Sequence, residues 1–121
     1  MAINWFKNSE VTGIATINKN NIVLNKTFIN KFENATNAVI GLSDEGEIVV
    51  KPLTLDDLDN PLIKDLLIVK VSPFNNFLRI GNTKCVSLIE EALNQKVTSD
   101  GLKFKTIWDD KENSLVIKTN K

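Results

Sequence analysis

NNIVLN at residues 20–25 and NFLRIGN at residues 76–82 decide how this chain is read, because each packs a turn, a short strand and a helix start into a few positions. Asn tolerates the left-handed backbone of tight turns, so Lys19-Asn20-Asn21 and Phe74-Asn75-Asn76 mark turns. Ile22-Val23-Leu24 and Phe77–Ile80 follow as short apolar strands. Asn25 and Asn82 then each offer a side-chain oxygen to an orphan N–H at the start of a helix. After the first, Phe28, Ile29 and Phe32 fall on one face of a short helix over Lys26–Phe32. After the second, Val86, Ile89 and Leu93 recur at helical spacing over Thr83–Gln95, with Cys85, Leu88 and Ala92 widening the stripe. Glu90 and Glu91 of that helix are expected to face solvent.

Working outward, the same order of elements surrounds both stretches. Val11–Asn18 alternates as a strand before the first, and Leu66–Ser72, stopped by Pro73, does so before the second. Ala38–Leu42 and Glu47–Lys51 form a hairpin across Ser43-Asp44-Glu45-Gly46, with Gly46 suited to positive φ and Pro52 expected to end the strand. Leu102–Trp108 and Ser114–Thr119 form its counterpart across an acidic turn at 109–113. Leu42-Ser43-Asp44 aligns with Trp108-Asp109-Asp110, and Ile48-Val49-Val50-Lys51 with Leu115-Val116-Ile117-Lys118. Between the two lies the acidic stretch TLDDLDNPLIKD, where Thr54 is placed to cap a helical turn and Asn60-Pro61 reads as a second cap with proline at the first helical position.

The reading is therefore one α+β domain over residues 1–121, with repeat one at 11–53, a linker at 54–65 and repeat two at 66–119. Neither ββαββ half has enough elements to cover both faces of its sheet. The two are expected to pack about a pseudo-two-fold axis as a barrel-like core.

A strand, a tight turn, a short strand, a short helix and a closing hairpin within one such repeat resembles the AbrB/SpoVT swapped-hairpin superfamily. Two tandem copies in one chain resemble its MraZ-like arrangement, in which the halves interlock. The resemblance implies a transcription regulator that grips DNA with loops and strands on one face, and the cations near that surface are Lys19, Lys26, Lys31, Arg79 and Lys84. Where the family opens its second strand with Gly-Arg, this chain has Asn20-Asn21 and Asn76-Phe77.

Composition narrows the function. Lys and Arg total 15, as do Asp and Glu, and Arg79 is the only arginine. Residues 1–60 hold five Lys and eight acidic residues, whereas residues 61–121 hold nine Lys, Arg79 and seven acidic residues, so the ends carry opposite charge. A neutral chain lacks the basic excess usual for nucleic-acid binding. His is absent and Cys85 is the sole cysteine, expected in the core, so no intrachain disulfide and no His- or Cys-based metal site is expected. The carboxylates cluster in turns without a partner base, and no phosphate loop or dinucleotide fingerprint is present. No catalytic residue, metal or cofactor is expected. No signal peptide or membrane span is read, and a cytoplasmic location is the expectation. The expectation is a non-enzymatic bacterial or phage-type interaction or regulatory protein that binds a protein partner or itself, with Trp5 and Phe6 as interface candidates. The alternative is the DNA-binding regulator that the resemblance implies.

Overall fold

Side chains alternate between the inside and the outside of the sheet along the strands, the inward ones almost all apolar, and the chain wraps that pattern into a closed sheet. The structure, a computed structural model, describes residues 1–4 and 13–119. The strands are β1 (Gly13–Ile17), β2 (Ile22–Asn25), β3 (Asn37–Leu42), β4 (Ile48–Leu53), β5 (Ile68–Pro73), β6 (Phe77–Ile80), β7 (Leu102–Asp109) and β8 (Ser114–Ile117). All neighbours are antiparallel, and the ring order is β1-β2-β6-β5-β3-β4-β8-β7, closed by β1 against β7. One α-helix, α1 (Thr83–Leu93), and three 3-10 segments complete the described residues. The α+β class and the barrel core follow the sequence expectation.

An eight-stranded barrel is just wide enough for side chains to fill its interior. Here Ile17, Ile22, Ile48, Val50, Val69, Leu78, Ile80, Leu115 and Ile117 fill it, each almost wholly buried. At one end, where Ile17 pairs with Leu102 and Ile22 with Ile80, α1 closes the barrel with Cys85, Val86 and Ile89. At the other, the segment after Asn25 does the same with Phe32, whose ring meets Trp108 edge-on at 6.3 Å.

That segment, Lys26–Phe32, is a 3-10 helix and not the expected α-helix, and it breaks at Phe28 (φ −115°, ψ 19°). Two local causes are visible. Asn25 does not cap it, because its side-chain oxygen accepts the Ile14 N–H at 3.1 Å instead. Thr27, Phe28 and Ile29 also have poor helix propensity. With three residues per turn, Ile29 stays in line with Phe32 while Phe28 is turned away from it, and both Phe28 and Ile29 are only half-buried. Asn82 caps as expected, its side chain accepting the Cys85 N–H at 2.9 Å. α1 stops at Leu93 because Asn94 turns left-handed (φ 52°). Glu90 is not merely solvated: its carboxylate accepts the Val97 N–H at 2.7 Å and ties the post-helix segment back. Leu88 and Ala92 do not widen the buried stripe; both are exposed.

Pro52 does not end its strand, which runs to Leu53 and pairs Pro52 with Ala38. The Ser43 N–H to Glu47 carbonyl bond (2.8 Å) sets the hydrogen-bonding parity of this hairpin, so the nitrogen of Pro52 faces away from β3. On that side β8 pairs with β4 only as far as Val50, and no ladder bond is lost. In the linker, Thr54 and Asp57 bond reciprocally: the Thr54 N–H and Oγ1–H donate to the Asp57 carboxylate at 2.8 and 3.1 Å, and the Asp57 N–H donates back to Oγ1 at 3.4 Å. These bonds hold the Asp57 carboxyl below its ordinary pKa. Short 3-10 segments follow at Asp57–Asp59 and Pro61–Ile63, the second capped by Asn60, which accepts the Leu62 N–H at 2.9 Å.

The seam between β1 and β7 is the tightest place in the wall. A Cβ on Gly13 would lie 2.6 Å from Oγ1 of Thr106, which is 1% exposed and has nowhere to move. Gly41, also in a strand, would place its Cβ in open space. Gly13→Ala is expected to cost roughly 1–3 kcal/mol through overpacking. Gly41→Val should be neutral or gain up to about 1 kcal/mol from reduced chain entropy and better strand propensity. Urea unfolding of the two variants checks both signs.

Candidate functional site

Closing the barrel aligns outward side chains from strands distant in sequence. Across β7, β1, β2, β6 and β5 one row reads Lys103, Thr16, Val23, Arg79 and Ser72, each paired directly with the next. The adjacent row sets Lys105 against Ile14, whose N–H bonds Asn25, and Asn25 against Phe77. Lys70 lies two residues from Ser72 on the same face of β5. These two rows hold three cations and no carboxylate.

Arg79 is the most constrained of them. Its guanidinium lies 5.1 Å from the Phe74 ring centre and 6.0 Å from that of Phe77. The two rings stack at 4.5 Å and 10°, and Phe74 keeps 45% of its surface in solvent. A planar cation held on an exposed aromatic pair is preorganised, so less side-chain entropy is lost when it binds an anion.

The opposite wall has the reverse character. Around β4 and β8, the carboxylates of Asp44, Glu45, Glu47, Asp109 and Glu112 gather beside Val49 and Val116. Glu47 is buried there and pairs with Lys118 at 2.7 Å. The hydrogen bond from that pair raises the Lys118 pKa. The neutral composition therefore conceals a charge separation across the barrel.

The five sequence-selected cations are not brought together. Lys19, in the turn after β1, and Lys84, in the first turn of α1, lie at the α1 end. The Asn20 side chain joins these parts by accepting the Thr83 hydroxyl proton at 3.0 Å. Lys26 and Lys31 lie on the 3-10 segment at the other end, with the Lys31 ammonium 5.4 Å from the Trp108 ring centre. Only Arg79 stands on the wall. Lys103, Lys105, Phe74 and Phe77 are what the selection missed. The signal for the lysines was there in Leu102-Lys103-Phe104-Lys105-Thr106, where period-two alternation puts both on one face. Trp5 and Phe6 lie outside the described residues.

A second feature is apolar. Between α1 and β3, Ile40, Leu42, Leu67, Leu88 and Ala92 line a groove of about 180 Å³ with Cys85 at its floor. Leu42 (52%) and Leu88 (48%) are half-exposed along it. Among the described residues no group of His, Cys, Asp and Glu is placed to hold a metal ion, and no helix is long and apolar enough to cross a membrane. The chain matches no family model, no curated protein and no solved structure.

Burial pushes the Cys85 thiol up to about 11, against the lowering effect of a backbone hydrogen bond at Asn82. The folded state therefore keeps a proton that the unfolded chain releases from about pH 9 upward. The thiol's contribution to stability is complete below that value and is lost as pH rises to about 11. The raised pKa of Lys118 acts in the same direction. Native protein should leave Cys85 unreactive to a thiol reagent at pH 8 and react fully once unfolded. The urea midpoint should fall between pH 9 and 11, and fall less in Cys85→Ala.

Proposed function

We propose that this chain is a non-enzymatic nucleic-acid-binding protein of regulatory type, built by duplication as a swapped-hairpin barrel, and that its working surface is the wall of β7, β1, β2, β6 and β5. The observation that carries it is the pair of rows across that wall, with Lys103, Lys105 and Arg79 and no carboxylate. The duplication is supported by the ring: exchanging β1 with β5, β2 with β6, β3 with β7 and β4 with β8 returns the same order. Hairpins from the two halves alternate around it. Registers exchange as well, Thr16 and Val23 with Ser72 and Arg79, and Leu42 and Ile48 with Trp108 and Leu115. The pairings Val23 with Arg79 and Val49 with Val116 map onto themselves. Only β1·β7 and β3·β5 differ, by two residues, a slip that keeps the same side chains inward.

A protein partner is the second reading, and the apolar groove beside α1 favours it. One set of variants separates the two. Binding of labelled mixed-sequence duplex DNA, followed by fluorescence anisotropy across a salt series, should weaken steeply. Three phosphate contacts correspond to a slope of about −2.7 in log affinity against log salt. Arg79→Ala should flatten that slope by about 1, and the Arg79→Ala/Lys103→Ala/Lys105→Ala variant should lose binding. Leu42→Ser/Leu88→Ser should leave it unchanged. No binding at low salt to duplex or to single strands removes the nucleic-acid reading and leaves the groove as the surface to pursue.

A further inference from the structure

The turn at Phe74 carries more apolar surface than a turn needs. Its backbone is closed by the Phe74 N–H donating to the Phe77 carbonyl at 2.9 Å. The turn between β1 and β2 is closed by the same bond, Asn18 N–H to the Asn21 carbonyl at 2.8 Å. There the two flanking side chains are amides, Asn18 donating to Asn21 at 3.2 Å. An amide pair is therefore sufficient to flank this turn. In the β5–β6 turn two phenyl rings stand in that place, stacked, half in solvent and next to the only arginine.

From this we infer that the Phe74–Phe77 pair with Arg79 is a stacking step for unpaired bases, so that the preferred ligand is a single strand and not a duplex. The inference rests on the nucleic-acid reading of the wall and deepens it. Bases in a duplex have both faces covered by their neighbours, whereas an unpaired base has a free π-face that ring and guanidinium planes can take. The two rows supply what the strand's backbone needs. Lys103 lies three strand spacings, roughly 14–15 Å, from Arg79 across the wall, and Lys105 is about 7 Å farther along β7. Phosphates tracking from the aromatic step towards β7 would meet cations and no carboxylate on these rows. Thr16 and Ser72 add hydroxyls. Val23 and Ile14 leave the middle apolar and free of competing charge.

The test is anisotropy of the whole chain with four labelled strands of equal length: oligo(dT), oligo(U), the matching duplex, and an abasic strand that keeps every phosphate but has no base. Oligo(dT) or oligo(U) is expected to bind more tightly than the duplex, and which of the two is tighter tells DNA from RNA. The abasic strand should bind roughly 5- to 150-fold more weakly than either, the loss expected for one stacked base. Phe74→Asn/Phe77→Asn, which copies the flanking pair of the other turn, should weaken oligo(dT) by at least that factor and the duplex by much less, because the duplex loses only the ordering of Arg79. A duplex bound as tightly as the single strands overturns this inference and leaves the wider reading standing. So does an abasic strand bound as tightly as oligo(dT), an outcome that does not depend on how any variant folds. Absence of binding to all four overturns both.

Discussion

Backbone pairing around the whole ring is the constraint on which the rest of this molecule depends. Four of the eight pairings are hairpins between strands consecutive in sequence. The other four join a strand from residues 13–53 to one from residues 68–117. An unpaired edge leaves a row of N–H and C=O groups open to any passing strand, and closure is the arrangement that removes edges altogether. Because hairpins from the two segments alternate, neither segment can form its own closed sheet. Ile17, Ile22 and Ile48 are buried only when Ile80, Leu115 and Ile117 are in place. The tight approach of Gly13 to Thr106 follows from the same demand, since β1 and β7 must meet for the ring to shut.

Closure also decides what the surface is. In a strand, alternate residues point outward, so a barrel turns sequence alternation into rows that cross the chain's own order. Lys103, Thr16, Val23, Arg79 and Ser72 are neighbours in space although they span most of the chain. The wall centred on β2 and β6 collects cations and aromatic rings. The wall centred on β4 and β8, opposite to it in the ring, collects the carboxylates of two hairpin turns. Neutral composition says nothing of this separation, because net charge sums over the molecule and a ligand meets one side of it.

Element order was legible in the sequence because its signals are local: alternation in the strands, Asn in the turns, and Asn82 and Asn60 at helix starts. The failures share a cause, which is that the tertiary surroundings decide what a local signal does. Asn25 had the right chemistry for a cap, but the Ile14 N–H of the neighbouring strand took its oxygen. Pro52 had the right chemistry to stop a strand, yet its nitrogen faces the side on which β8 has already ended. Leu88 and Ala92 fit a helical stripe, but Cys85, Val86 and Ile89, with Leu93 beside them, are what the barrel end takes in. The surface was harder still. The candidate lysines follow from the surface that the family resemblance implies, near the short-strand turns, whereas membership of the wall depends on strand parity and ring order. Arg79 met both conditions, and Lys103 and Lys105 met only the second.

The two halves of the ring differ in complementary ways at their turns and at their plugs. At the first turn Asn18 and Asn21 bond each other, and Val23 stands where the second half has Arg79. The plug belonging to that half is short but carries Phe28 and Phe32, and its aromatic bulk, with Trp108, fills the barrel end. In the second half the aromatic rings are at the turn, on the outside, and the plug is a longer helix of smaller side chains. Cys85, Val86 and Ile89 cover the barrel mouth incompletely, which is why a groove remains between α1 and β3. Aromatic surface that seals the core in one half is thus presented to solvent in the other. Burial gives phenyl rings a stabilising role in the first case. In the second, a stacked and half-exposed pair beside a guanidinium gives up part of that gain, and binding a flat partner on that wall is what would recover it.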